Sequence, residues 1–167
     1  MATTAAGILD DQRSGERGEV IDLLTTAYWM EIETVMNYIA NSVNPYGDRA
    51  QEIIESLKED ITEELGHAQQ FATRIKELYG VVPSSIDFTP EQTYLAPPEH
   101  QTDIVHVIKG VIDAERSAIR FYNELIEAAN ERDWVTQDMV VAILRDEQKH
   151  RRLFEGFLRE YEAEGRA

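Results

Sequence analysis

Four stretches of this chain repeat apolar residues at alternating three- and four-residue steps, and each places one glutamate where the pattern asks for leucine or isoleucine. The first runs through Val20, Leu24, Ala27, Glu31, Thr34 and Tyr38, and the second through Ile54, Leu57, Ile61, Glu64, Ala68, Phe71, Ile75 and Leu78. The third is Ile104, Ile108, Val111, Glu115, Ile119, Tyr122 and Ile126; the fourth is Val140, Ile143, Glu147, His150, Phe154, Phe157 and Tyr161. Such spacing gathers each series on one helix face, so the pattern predicts four glutamates inside a helical core. A buried carboxylate without a partner costs several kcal/mol even after relaxation, and four together also repel one another. The fold must therefore bring compensating charge to them.

The punctuation between the stripes sets the architecture. Asn44-Pro45 and Gly47 close the first helix, and Gly80 with Pro83 closes the second. Residues 81–101 hold Pro83, Pro90, Pro97 and Pro98 without a helical period. Their length is enough to run back along a helix of about 30 residues, which spans about 45 Å. No stretch alternates with the period of a strand over a useful length, so the class is all-α. The expectation is a four-helix bundle over residues 16–167, built from two antiparallel helical hairpins joined by one long crossover at 81–101. Residues 1–15, small and polar without periodicity, are expected to form a mobile tail.

Composition narrows the chemistry. The chain's 167 residues suit one domain, and 32 acidic against 16 basic residues give a formal charge of −16. A surface of that sign repels phosphate backbones and anionic lipid while concentrating cations, so nucleic acid is not an expected partner. The acidity fits a salt-rich cytoplasm or simply a solubilising surface. No apolar run reaches the roughly 18 to 20 residues of a membrane span, and the N-terminus lacks a secretory pattern, so a cytoplasmic location is expected. With no cysteine, thiolate metal sites, iron–sulfur clusters and disulfides are excluded, and any metal must be held by oxygen and imidazole.

The second and fourth helices meet that requirement. In Glu64-Leu-Gly-His67 and Glu147-Gln-Lys-His150, a histidine follows the core glutamate by three residues, which places both side chains on one face a turn apart. Glu31 and Tyr38 stand seven residues apart, as do Glu115 and Tyr122, and the Glu31–Glu64 and Glu115–Glu147 intervals are nearly equal. Two hairpins with matching sets suggest a pseudo-twofold site with metal ligands Glu31, Glu64, His67, Glu115, Glu147 and His150. Four negative charges match two divalent ions. Glu64 and Glu147 are favoured as bridges, and Glu31 and Glu115 as terminal ligands. Hard oxygens with imidazole suit Fe or Mn, with Zn as a substitute. Glu63 and Asp146, each preceding a ligand glutamate, are expected to accept from the distal nitrogen of a histidine across the bundle. Tyr38 and Tyr122 are expected to donate to ligand carboxylates or to supply an electron. Glu33 lies with Asp22, Thr26 and Asn37 on a polar face and is expected to be solvated. His100 and His106 read as surface or packing residues, and Trp29 and Trp134 as packing or interface residues.

One glutamate from each of two helices and a Glu-x-x-His pair from each of the others is the arrangement of ferritin-like di-iron carboxylate proteins. Beyond spacing, the stretch from Asp138 to His150, DMVVAILRDEQKH, resembles the fourth helix of bacterioferritins, and Glu31 with Tyr38 resembles their first-helix ligand and its tyrosine. The resemblance covers roughly residues 17–160. Two departures matter. Leu65 stands where bacterioferritins carry the methionine that binds haem, so haem is not expected. Only 17 residues follow His150, short of the usual remainder of helix four and a fifth helix. That points away from a 24-subunit cage, towards a homo-oligomeric Dps-like shell or a dimer. Rubrerythrins resemble the site too, but have a further glutamate where this chain has Ala118, and carry cysteines. What the resemblance implies is a ferroxidase that binds two Fe ions within one subunit. It would oxidise Fe(II) to Fe(III) with O₂ or H₂O₂ for iron storage or detoxification. The alternative is a non-storage di-iron or di-manganese oxidase or catalase-like peroxidase acting on a small substrate. A metal-free helical interaction protein is the remaining reading.

Overall fold

The computed structural model describes residues 7–165, and among these there are four long α-helices and no strand. They are α1 (Ser14–Val43), α2 (Ala50–Glu77), α3 (Ile104–Ala129) and α4 (Trp134–Ala163). Each boundary has a local cause. α1 stops one residue before Asn44-Pro45, where proline cannot continue the backbone ladder. α2 ends with Tyr79 in the left-handed region at φ 67°, and the Gly80 amide reaches back to Ile75 O at 2.8 Å. A Cβ on Gly80 would stand 2.9 Å from that same carbonyl oxygen, so the close return requires glycine. Asp103 and Asp133 cap α3 and α4 by accepting from the amides of His106 and Thr136.

α1 packs along α2, and α3 along α4, as two antiparallel hairpins; they meet mainly through α1 and α3. The apolar core divides into two clusters. One holds Leu57, Ile108, Val111 and Phe154, the other Leu24, Phe71, Leu125 and Ile143. In every helix the core glutamate falls between these clusters in sequence, with apolar packing on either side. At the α2–α4 junction, buried Arg74 donates to both oxygens of Asp133 at 2.8 and 3.0 Å and to Thr136 Oγ1 at 2.9 Å.

The crossover carries two short 3₁₀ turns, Ser85–Asp87 and Thr93–Leu95, and lies against α1 and α3. Its attachment corrects the expectation that Glu33 is solvated. Glu33 is only 7% exposed, and its Oε1 accepts from the amides of Glu91 and Gln92, both at 2.8 Å. Gln92 Nε2 donates to Met30 O and Thr34 Oγ1, Asn37 Nδ2 donates to Gln92 Oε1, and Asn41 Nδ2 donates to Leu95 O. From Met30 to Asn41 the polar face of α1 is a seam against the crossover, whereas Asp22 and Thr26 of the same face stay exposed. His106 presents Nε2 3.0 Å from Ala96 O, and Trp29 packs on Phe88 with ring centroids 5.3 Å apart, both securing the same segment. His100 and Trp134 are exposed.

The expected mobile tail of residues 1–15 begins with residues 1–6, which lie outside the described residues. The remainder is docked. Ile8 is buried in the second apolar cluster, Asp11–Arg13 form a 3₁₀ turn, and Arg17 Nη1 donates to the carbonyls of Ile8 and Asp10. One apolar side chain and the half-buried Arg17 hold a stretch whose composition lacks any period.

Candidate metal centre

Helical phase alone brings six side chains to one place. Glu31 from α1, Glu64 and His67 from α2, Glu115 from α3, and Glu147 and His150 from α4 are each no more than 4% exposed. They form two overlapping groups, Glu31/Glu64/His67/Glu147 and Glu64/Glu115/Glu147/His150, in each of which the candidate ligand atoms lie within 4.8 Å of one another. Glu64 and Glu147 belong to both. His67 Nδ1 stands 3.1 Å from Glu64 Oε2, 3.0 Å from Glu147 Oε1 and 3.8 Å from Glu31 Oε1. His150 Nδ1 mirrors it at 3.4 Å from Glu64 Oε1, 3.7 Å from Glu147 Oε2 and 4.0 Å from Glu115 Oε1.

Both imidazoles turn Nδ1 inward and Nε2 outward. His150 Nε2 lies 2.7 Å from Glu63 Oε2, and His67 Nε2 lies 3.4 Å from Asp146 Oδ2, each partner coming from the opposite helix. A carboxylate at Nε2 favours the proton there and leaves the Nδ1 lone pair for a ligand. The tyrosines cross between hairpins: Tyr38 of α1 donates to Glu115 Oε1 at 2.7 Å, and Tyr122 of α3 donates to Glu31 Oε1. Both phenols are fully buried.

The donor set fits hard divalent cations by its own unmet needs. Glu64 Oε1, Glu115 Oε2, Glu147 Oε1 and His150 Nδ1 are buried without a hydrogen bond, although buried polar atoms nearly always have one. Without a cation, protons take the role. Burial, then the charges of Glu64 and Glu147, pushes the Glu31 carboxyl well above the usual range; burial with the charges of Glu147 and Glu64 does the same to Glu115. Burial works against a charged imidazole, yet the adjoining carboxylates of Glu147 and Glu64 prevail and raise His67 to about 10 and His150 to about 12. Burial also opposes the Glu64 carboxylate, but the adjoining imidazoles of His150 and His67 outweigh it and lower Glu64 to about 2. Burial, followed by the charge of the carboxylate each one meets, raises Tyr38 and Tyr122. Protons thus occupy the atoms that a cation would need.

The structure adds a residue that the sequence reading passed over. Asp60, one turn before Glu64 on α2, is 5% exposed, with Oδ1 3.5 Å from His150 Nε2. Burial pushes its carboxyl up to about 7 against the pull of His150. Its position four residues before a core glutamate was the available signal, because the matching position on α4 is Ile143.

Residues 21–163 match the family model for the ferritin-like domain. The DNA protection during starvation protein of Pyrococcus furiosus is 30% identical over 145 residues, covering 84% of this chain and 77% of that protein. The bacterioferritin of Desulfovibrio desulfuricans is 25% identical over 144 residues, covering 86% of this chain and 76% of that protein. Among solved structures, the dodecameric thioferritin of Bacteroides fragilis, a bacterioferritin-related protein, superposes with a TM-score of 0.78 at 24% identity over 89% of each chain. Four helices, a long crossover and a model match across nearly the whole bundle lead to one assignment: this chain belongs to the ferritin-like family.

Proposed function

We propose that this protein is an iron-binding ferroxidase that takes Fe(II) as substrate at the six-residue centre and releases Fe(III) for storage or detoxification in a homo-oligomer. The observation that carries the reading is the pair of buried ligand groups sharing Glu64 and Glu147. Glu31 and His67 would complete one cation position, and Glu115 and His150 the other. A bound pair of Fe(II) ions supplies two electrons, one from each, to O₂ or H₂O₂. The chain's residues do the rest. Glu63 and Asp146 hold the proton of each histidine on Nε2, and Tyr122 and Tyr38 fix the rotamers of Glu31 and Glu115. The apolar clusters on either side limit bulk water. Mn(II) and Zn(II) suit the same donors and would compete.

The relatives support iron handling through the bacterioferritin name, and assembly through the dodecameric Bacteroides fragilis protein. On this chain, Met36, Ile39 and Val43 are exposed along α1 at three- and four-residue spacing, an apolar stripe suited to a second copy. No helix among the described residues is long and apolar enough to cross a membrane.

The test is aerobic Fe(II) addition to the wild type, Glu64→Ala and Glu147→Ala, with ferric absorbance followed by stopped flow and helix content by circular dichroism. Both variants should keep their helices and lose the fast oxidation phase. Unchanged kinetics would overturn the assignment. Iron retained on the size-exclusion peak then separates storage, with many irons per chain in a large particle, from turnover without storage, with a plateau at about two.

A further inference from the structure

We propose that Asp60 makes the two halves of the centre unequal, so that the half built on Glu115 and His150 takes the first divalent cation. The inference rests on reading the six residues as a two-cation site. Its basis is a break in the pseudo-twofold pattern. Glu31 pairs with Glu115, Tyr38 with Tyr122, Glu63 with Asp146, Glu64 with Glu147 and His67 with His150. One turn before the α2 and α4 glutamates, the pattern departs: α2 carries Asp60 and α4 carries Ile143, both buried. Ile143 packs in the apolar cluster, whereas Asp60 turns Oδ1 to His150 Nε2 at 3.5 Å and leaves Oδ2 buried without a hydrogen bond.

The two imidazoles are consequently held differently. His150 Nε2 faces two carboxyl groups, Glu63 at 2.7 Å and Asp60 at 3.5 Å. His67 Nε2 faces Asp146 alone, at 3.4 Å; Asp146 and Glu63 are similarly exposed, at 40% and 42% of their side chains, so the halves differ in distance and in the buried Asp60. An imidazole with a close acceptor and a buried second one is fixed in tautomer and ring angle before any cation arrives. An imidazole with one longer acceptor and no buried second one must be ordered during binding and forfeits affinity accordingly. Asp60 needs only an oxygen at Oδ1 to do this, so it is a positioning residue acting through His150. Partners of this kind change metal affinity by about ten- to a hundredfold, which sets the size of the step between the first and second cation.

Co(II) is the probe, because its absorption reports coordination and its anomalous scattering locates it. Wild-type crystals given one equivalent of Co(II) per chain should show most of the metal between Glu115 and His150, and a solution titration should show two steps about tenfold or more apart. Asp60→Ile, which copies the α4 counterpart, and the milder Asp60→Ala should bring the occupancies close to equal and merge the steps. Asp60→Asn keeps the acceptor oxygen and should preserve the order. Equal occupancy in the wild type, preference for the His67 half, or an unchanged order in Asp60→Ala would overturn the proposal. Equal or reversed wild-type occupancies overturn the proposal even where one substitution prevents folding, and Asp60→Asn and Asp60→Ala then assign the order to Asp60. Cobalt at neither half would instead overturn the two-cation reading on which it rests.

Discussion

Among the individual residues, the titrating groups of the centre set a pH dependence whose sign reverses with metal. In the metal-free protein, Glu31 and Glu115 are raised above 4.5, and His67 and His150 are raised from 6.5 to about 10 and about 12. The folded state thus holds more protons than the unfolded chain. The stability these groups lend is fully present below the unfolded values and is lost as pH rises through the folded ones. Glu64, lowered to about 2, contributes stability that is lost only in strong acid. Calorimetry should show the metal-free Tm falling between about pH 5 and pH 9. Bound cations displace those protons, so the Tm gain from Mn(II) or Zn(II) should grow over the same range. A metal-induced gain that shrinks with pH would place the cations elsewhere.

At the level of elements, the crossover shows what a sequence can and cannot convey. The four stripes made the helices legible, and the same phase marked the four glutamates and His150, since a charged residue inside an apolar stripe contradicts its surroundings; His67 was legible from its three-residue spacing to Glu64. Glu33 carried no such contradiction. Periodicity reports the angle of a side chain around its own helix, and nothing about what covers that face; Glu33 sits among Asp22, Thr26 and Asn37, and only the folded crossover supplies the amides it binds. Asp60 was hidden for a related reason, because it flanks the apolar series without interrupting it. The docking of Ile8 depends on a single side chain, too little for any period to reveal. Glu33→Ala would leave two amides of the crossover without their acceptor, costing about 2–3 kcal/mol. The corresponding drop in Tm is about 5–10 °C, measurable by thermal circular dichroism. Glu33→Gln keeps an acceptor and should lose less.

Across the whole molecule, the net charge of −16 acts on whatever approaches it. It draws divalent cations towards the bundle and opposes phosphate backbones. Capture of Fe(II) should therefore slow several-fold as salt is raised from about 0.05 to 0.5 M, because screening shortens the reach of the surface field to a few Å. A stopped-flow rate independent of salt would mean that entry is limited by a step inside the bundle. The centre itself lies on the boundary between the hairpins, and the crossed phenols complete it: Tyr38 of the first serves Glu115 of the second, and Tyr122 of the second serves Glu31 of the first. Neither hairpin can finish its own set of contacts. A half-length ancestor carrying one Glu–Tyr helix and one Glu-x-x-His helix could have worked only by pairing with a copy of itself. Joining two such copies end to end would leave the site intact while freeing each half to diverge, and Asp60 opposite Ile143 is the kind of difference that only the joined chain can keep.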